Sequence, residues 1–333
     1  MTAAPALTVV IPTRDRLATL METLARLDRQ EGDVPFEVVV VDDGSGDGTP
    51  EAVERGAADR PFELTVLRQP GRGPAAARNR ALASARAPVA LFLNDDAWPR
   101  PDLTARHAAF HALHPEPEAA LLGRIDLAPD PPPTPFMRWL HELHFDLGGI
   151  EDASDAGGAR FFTANVSAKR ALIERAGGFD EGFQSAAHED IDLGLRLDAA
   201  GMRLAYDASA VAEHSHPDDL GSAIARMRAV GEALAPFADR HPDWPLPRRP
   251  GLRHHAKASV LTAAAALGAR GERLRRETWR FLCHEAAREG YWAAAAASPA
   301  RGRGEGPLRV GARLARLAAR DPDTRMPVAT GRA

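Results

Sequence analysis

Apolar residues in the first two-thirds of the chain come in short unbroken runs separated by stretches of helical periodicity. Residues 7–11, 36–41, 62–67 and 88–93 are each long enough for one buried strand. Between the first two runs, Leu17, Leu20, Leu24 and Leu27 recur every three or four positions and predict a helix with one apolar face. Thr49 followed by Pro50 and Glu51 starts a second helix, with a hydroxyl cap and a proline in the first turn. Residues 74–85 form a third. Strands that are apolar throughout, joined by helices, imply a parallel sheet covered on both faces. Right-handed crossovers then make a doubly wound α/β sheet the economical topology.

Farther along, a helix runs from Pro101 to about His114, and an apolar stretch covers 119–127. Residues 128–160 lack periodicity and carry prolines, Trp139, His141, His144 and Phe145, so they read as a long functional loop with partial order. Extended character returns at 161–167, and a short helix at 169–176 stops at Gly177-Gly178. A helix at 188–200 and two short strands, 203–206 and 209–213, lead to His214-Ser215-His216. From Leu220 the chain is rich in alanine and arginine, without strand signals, and fraying is expected after Pro322. Two domains are expected: an α/β domain over 1–219 and a helical C-terminal appendage over 220–333.

Composition narrows the partners. At 333 residues, one large domain plus an appendage is the natural arrangement. With 42 basic against 46 acidic side chains the net charge is −4, which excludes a globally basic nucleic-acid binder. Cys283 is alone, so neither an internal disulfide nor a zinc cluster is available, and a cytoplasmic location is expected. The first ten residues lack the pattern of a signal peptide, and no run of 18 apolar residues occurs. The alternation of basic and apolar residues from Arg309 to Leu317 admits peripheral contact with the inner face of an anionic membrane, as well as packing on the protein itself.

Chemistry concentrates at the ends of elements. Asn94-Asp95-Asp96 follows the run 88–93, and Thr13-Arg14 and Asp42-Asp43 close two others. In an open α/β sheet ligands bind beyond the carboxyl ends of the strands. Carboxylates there suit a hard divalent cation and its phosphates. Glu189 and Asp190 open a helix, where the macrodipole favours negative charge. Gly71-Arg72-Gly73-Pro74-Ala75-Ala76 competes with this reading, because it follows a strand, opens a helix and imitates a dinucleotide-binding turn. The alternative is therefore a Rossmann-type oxidoreductase. Against it, the first strand ends in Pro12-Thr13-Arg14 without glycines, and Asp42-Asp43 offers two acids where a dinucleotide needs one on its ribose.

Six segments in order resemble the inverting nucleotide-sugar glycosyltransferases of family 2. They are Val9-Val10-Ile11-Pro12-Thr13-Arg14-Asp15-Arg16, Val41-Asp42-Asp43-Gly44-Ser45, Ala77-Arg78-Asn79-Arg80-Ala81, Leu93-Asn94-Asp95-Asp96, Gly177-Gly178-Phe179-Asp180-Glu181 and Glu189-Asp190-Ile191-Asp192. The resemblance implies a GT-A domain and residue-by-residue roles. Thr13 and Asp43 would meet the donor nucleobase, with Pro12, Arg14 and Asp42 nearby. Asn94 and Asp95 would share the ribose, Asn94 standing where the family usually has an acid. Asp96 would hold Mg²⁺ or Mn²⁺, with His214 as a further metal ligand, and Asp190, flanked by Glu189, would be the catalytic base. Independent chemistry agrees: a departing diphosphate gains negative charge that a divalent ion offsets, and the attacking hydroxyl must lose a proton to a base. The acceptor, whether glycan, lipid-linked or small molecule, would contact residues 128–160 and the appendage, as in cell-wall or polysaccharide biosynthesis. A nucleotide-sugar or glycan-binding module that has lost catalysis is the remaining alternative. Arg78 and Asn79 are read as structural anchors, Arg72 as an anchor or a diphosphate ligand. Trp98 and Trp139 suit either sugar stacking or the core.

Overall fold

The computed structural model describes residues 4–269, 271–297 and 312–325. Contacts divide the chain into two compact units, one of residues 1–129 and 145–216, the other of 130–144 and 217–333. The first contains β1 (Leu7–Thr13), α1 (Leu17–Leu27), β2 (Phe36–Asp42), α2 (Thr49–Arg55), β3 (Glu63–Arg68), α3 (Pro74–Ser84), β4 (Val89–Leu93), β5 (Ala97–Pro99), α4 (Leu103–Leu113) and β6 (Ala119–Leu127). After α5 (Pro135–His144), which belongs to the second unit, it continues with β7 (Asn165–Lys169), α6 (Arg170–Arg175), α7 (Glu189–Ala199) and β8 (Arg203–His214).

One eight-stranded sheet runs β3-β2-β1-β4-β7-β6-β8-β5. Alternate residues of each strand point to opposite faces. Val10, Val39, Val41 and Phe92 accordingly join a core with Phe161, Phe179 and Leu193, while Val9, Ile11, Val38 and Leu91 join Leu20, Leu24 and Leu27 of α1 on the other face. Burial on both faces is why these strands carry almost no polar positions. Strands β1, β2, β3 and β4 are parallel neighbours, so Thr13 and Asp42 pair in register and the end of β4 lies at the same edge. Strand β7 is antiparallel to both β4 and β6, and β8 is parallel to β6. The two reversals cancel, and the carboxyl end of β8 returns to the edge that carries Asp95 and Asp96.

The two short strands expected near 203–213 are one strand with an irregularity. Gly123 pairs with Asp207 but Arg124 pairs with Val211, so residues 208–210 bulge out of β8. Asn165 fills the gap: its Nδ2 donates to the carbonyls of Arg124 at 3.0 Å and Ala210 at 2.9 Å. A Cβ on Gly123 would strike that amide and the Ala210 carbonyl, so the position has room only for glycine. Because the amide nitrogen is committed, Asn165 Oδ1 must accept from His107 Nε2 at 3.1 Å. Neutral His107 then accepts at Nδ1 from Ser167 Oγ at 2.7 Å, and Ser167 accepts from His111 Nε2 at 2.8 Å. A single buried chain of hydrogen bonds thus fixes both histidine tautomers and the register of the last third of β8.

In the second unit, α5 packs Phe136, Trp139 and Leu140 with Leu220, Leu261, Trp279, Leu282 and Leu314. These come from α8 (Leu220–Arg240), α9 (Leu252–Ala266), α10 (Glu272–Ala297) and α11 (Ala312–Ala318). Residues 128–160 therefore are not one loop: they contain a helix whose apolar face, Phe136, Trp139 and Leu140, has i, i+3, i+4 spacing too short to stand out after the preceding proline run. Trp139 lies in this core, tilted against Trp279 with ring centroids 5.8 Å apart. Helices α8 and α10 pass so closely that a Cβ on Gly231 or Gly290 would overlap the backbone of Ala287 or Arg228. Among the described residues no helix is long and apolar enough to cross a membrane. The basic stretch from Arg309 to Leu317 lies partly outside the described residues.

Two outcomes follow from the buried chain. Asn165→Ala orphans two carbonyls and a histidine and should lower the unfolding free energy by about 2–4 kcal/mol in urea titration. Burial depresses His107 to about 4 and His111 to about 3 from an unfolded value of 6.5. Below pH 6.5 the unfolded chain therefore binds protons that the folded chain refuses. Unfolding monitored by circular dichroism should show stability falling as pH drops from about 6.5 toward 4, with a shallower slope in His107→Asn.

Candidate active site

Strand β5 turns back directly after Asp96 and pairs antiparallel with β8, setting Ala97 opposite His214. The Ser215 N–H donates to the Asp96 carbonyl at 2.8 Å and extends that pairing by one step. Period two then puts His214 and His216 on the same side, with rings stacked at 5.5 Å and 8°. His214 Nε2 lies 3.3 Å from Asp96 Oδ1 and His216 Nδ1 2.9 Å from Asp96 Oδ2. Asp96, His214 and His216 each present one ligand atom, all within 4.8 Å of one another. Asp96 Oδ1 is buried and accepts no hydrogen bond from a described residue.

Arg16 reaches the same carboxylates, with Nε 3.3 Å from Asp95 Oδ1 and a terminal nitrogen 2.6 Å from Asp96 Oδ2. Thr13 Oγ1 donates to Asp95 Oδ2 at 2.8 Å. Burial raises Asp95 to about 7 against the pull of Arg16, with the charge of Asp96 adding to the rise. Burial acts on Asp96 too, but His214, His216 and Arg16 outweigh it and hold that carboxyl well below the usual range. Neighbouring buried acids are thereby driven apart, and Asp96 keeps the negative charge.

Asp42 and Asp43 organise the adjoining loops. Asp42 Oδ2 accepts from the N–H groups of Gly44 and Ser45, at 3.2 and 3.1 Å, while its buried Oδ1 accepts none among the described residues. Asp43 Oδ1 accepts from Gln69 Nε2 and the Arg72 N–H, both at 2.7 Å, and Oδ2 accepts from the Gly73 N–H at 2.9 Å. The glycine turn that imitates a dinucleotide site has thus committed the Arg72 and Gly73 amides to Asp43 and the Gly71 amide to the Gln69 carbonyl. Gly73 is glycine because φ is 88° and a Cβ would lie 2.6 Å from the Gln184 carbonyl oxygen. Pro12 is half-buried at the end of β1, and exposed Arg14 lies close to Gly71.

Glu189 and Asp190 begin α7, preceded by His188 with φ 67°. They differ sharply in surroundings. Glu189 is buried and accepts from Arg78 at 2.7 Å, while Asp190 is half-buried and accepts from the Ile191 N–H at 2.9 Å. Burial raises Glu189 to about 7, helped by the neighbouring Asp190 charge and opposed by Arg78. Loss of water therefore outweighs the helix start that was expected to favour ionised Glu189. A second Arg78 nitrogen lies 3.4 Å from Asn94 Oδ1, so one guanidinium joins the start of α7 to the end of β4. Asn79 donates to the Phe179 carbonyl and accepts from its N–H, both at 2.8 Å, as a structural anchor would. Arg72 pairs with Glu181 at 2.6 Å. Trp98 stacks under Arg26, whose guanidinium lies 4.6 Å from the ring centroid.

The fold thus gathers Thr13, Asp95, Asp96 and His214 in one cluster, and joins Glu189 to Asn94 through Arg78. It adds two residues absent from the sequence-derived set, Arg16 and His216. The i, i+2 spacing of His214 and His216 carried a signal for the second histidine, whereas Arg16 is one arginine among many.

The Glycosyl transferase family 2 profile matches residues 8–162. An uncharacterized glycosyltransferase of Bacillus subtilis, YfnE, is 30% identical over 276 residues, covering 66% of this chain and 69% of the relative. The pre-mycofactocin glycosyltransferase of Mycobacterium tuberculosis is 33% identical over 245 residues, covering 72% of this chain and 49% of the relative. The chain thus spans about half the length of that mycobacterial protein. Among solved structures, the mannosyltransferase PcManGT of Pyrobaculum calidifontis, in complex with GDP-Man and Mn²⁺, superposes with a TM-score of 0.53 at 25% identity, covering 96% of this chain and 81% of that one. S. aureus TarS 1-349 shares the fold, with a TM-score of 0.51 at 19% identity over 88% of this chain and 92% of that one. On these grounds the chain belongs to glycosyltransferase family 2 and has the GT-A fold.

Proposed function

We propose that this chain is an inverting, metal-dependent glycosyltransferase that moves a sugar from a nucleoside-diphosphate sugar to an acceptor hydroxyl. The observation that carries the reading is Asp96 flanked by His214 and His216 at the sheet edge. One carboxylate oxygen and two imidazole nitrogens form a donor set that suits Mn²⁺ better than Mg²⁺, which prefers an all-oxygen shell, and Asp96 Oδ1, buried without a hydrogen bond from a described residue and 3.3 Å from His214 Nε2, is a ready ligand atom. Bound there, the ion would offset the charge that develops on the departing diphosphate. Mn²⁺ with a nucleotide sugar in PcManGT supports the same pairing here.

The remaining roles belong to side chains. Asp43 holds the loop 69–73 against the end of β2, and with Pro12, Thr13, Arg14 and Asp42 forms the wall for the nucleobase. Asn94 and Asp95 face the ribose. Asp190, less enclosed than Glu189, takes the acceptor proton as the acceptor oxygen bonds to the anomeric carbon. The bond from that carbon to the diphosphate oxygen breaks on the opposite side, so the configuration inverts. Glu189 acts on Asp190 only through position, locked by Arg78. Acceptor identity, and with it a place in cell-wall or polysaccharide biosynthesis, rests on surfaces outside this cluster.

Thermal melting against a panel of nucleoside diphosphates should show stabilisation by one nucleotide with Mn²⁺, abolished by chelator and by Asp96→Asn. Stabilisation by NAD(H) without metal would instead favour the oxidoreductase. Asp190→Asn should retain the metal-dependent shift with donor yet lose turnover by about 100-fold or more, measured as released nucleoside diphosphate. Near-wild-type turnover in that variant would overturn the assignment of the base.

A further inference from the structure

Four of the five large apolar side chains that stand exposed among the described residues fall within 246–267: Leu246, Leu252, Val260 and Leu267. Leu252, Val260 and Leu267 are 90%, 66% and 86% exposed. With exposed Ala256 and Ala263 they repeat at intervals of three and four, so on α9 and its C-cap residue Leu267 all five lie within an arc of about 80°. The opposite side of the helix is the packed one, where Ala258 and Leu261 enter the core with Trp279 and Leu282. The helix therefore has two apolar faces, one buried and one in water, which its own unit does not require.

The segment that carries the outer face is itself one-sided in charge. Residues 244–271 contain no Asp or Glu, although the chain has 46 acids and a net charge of −4. Arg248 and Arg253 are exposed on the approach to and first turn of α9, and Arg249 lies over the Trp292 ring at 4.6 Å. Lys257 follows one turn later and pairs with Glu277 at 2.7 Å. At 100° per residue Arg253 and Lys257 border the apolar stripe on one side. Apolar side chains beside cations, with no acid between them, complement a partner that is anionic at its surface and apolar just beneath it.

We infer that the outer face of α9 docks on an anionic lipid bilayer, lying in the interface with Leu252, Val260 and Leu267 among the acyl chains and Arg248 and Arg253 at the phosphates. Three large side chains and a few cations make a reversible attachment rather than an anchor. This inference stands apart from the reaction assigned above, since none of its residues belongs to the acidic edge.

Co-sedimentation of the full chain with vesicles tests it. Binding is expected to vesicles of phosphatidylcholine with phosphatidylglycerol, not to phosphatidylcholine alone, and to weaken with added salt. Arg248→Ala and Arg253→Ala should each lower vesicle affinity by about fivefold. The triple variant L252E/V260E/L267E should abolish binding while keeping the wild-type melting curve and nucleotide response, because all three side chains are in water. Equal binding by wild type and triple variant would overturn the proposal, as would equal binding to neutral vesicles. A lipid-free dimer in sedimentation equilibrium that the triple variant converts to monomer would show instead that a second copy covers the stripe.

Discussion

Two adjacent carboxylates buried at the end of β4 impose the constraint on which the acidic edge depends. Removing Asp95 and Asp96 from water penalises their charges strongly, and two such charges side by side repel. Each must therefore be met by a donor or a cation, and the protein supplies these from distant parts of the chain. Thr13 and Arg16 come from β1 and the turn after it, His214 and His216 from the end of β8. The division that results is unequal. Asp96 stays ionised among three cationic or potentially cationic groups, while Asp95 is raised toward neutrality. The same arrangement that keeps Asp96 ionised sets its carboxylate beside two imidazoles, all three ligand atoms within 4.8 Å of one another, which is the geometry on which the proposed metal site rests.

That arrangement relies on strand register as much as on charge. A shift of one residue in β8 would turn His214 and His216 to the other side of the sheet. Asn165, His107, Ser167 and His111 prevent it by fixing the bulge at 208–210 with hydrogen bonds whose directions are all determined. Such a buried network is worth its polar groups only when nearly every one is paired, and here His111 Nδ1 alone of its side-chain atoms lacks a partner among the described residues. The histidines must then stay neutral, which their depth in the protein ensures.

A second buried charge, Glu189 against Arg78, connects the helix that carries Asp190 to the strand that carries Asn94. This pairing gives Asn94 a structural partner at the place where the family resemblance implies an acid. An acid there would add a third carboxylate to an already crowded edge, whereas the amide oxygen accepts from Arg78 without adding charge. Arg78 and Asn79, neighbours on α3, therefore both work as braces, one toward α7 and the other toward Phe179.

The sequence by itself determined strands β1 to β4, helices α1 to α4, α6 and α7, the parallel half of the sheet and the acidic strand ends, because those depend on local periodicity and on where apolar runs stop. Its six ordered segments also identified the family. Helix α5 escaped because its periodic face is short and follows a proline run, and its membership in the second unit depends on partners more than 70 residues away in sequence, such as Leu220 and Trp279. Tertiary structure alone decided that β8 returns to the acidic edge, since that follows from two cancelling antiparallel pairings which no local pattern records. It alone placed Arg16 and His216 on Asp96 and distinguished Glu189 from Asp190, because exposure and charge compensation arise only when remote segments enclose a side chain.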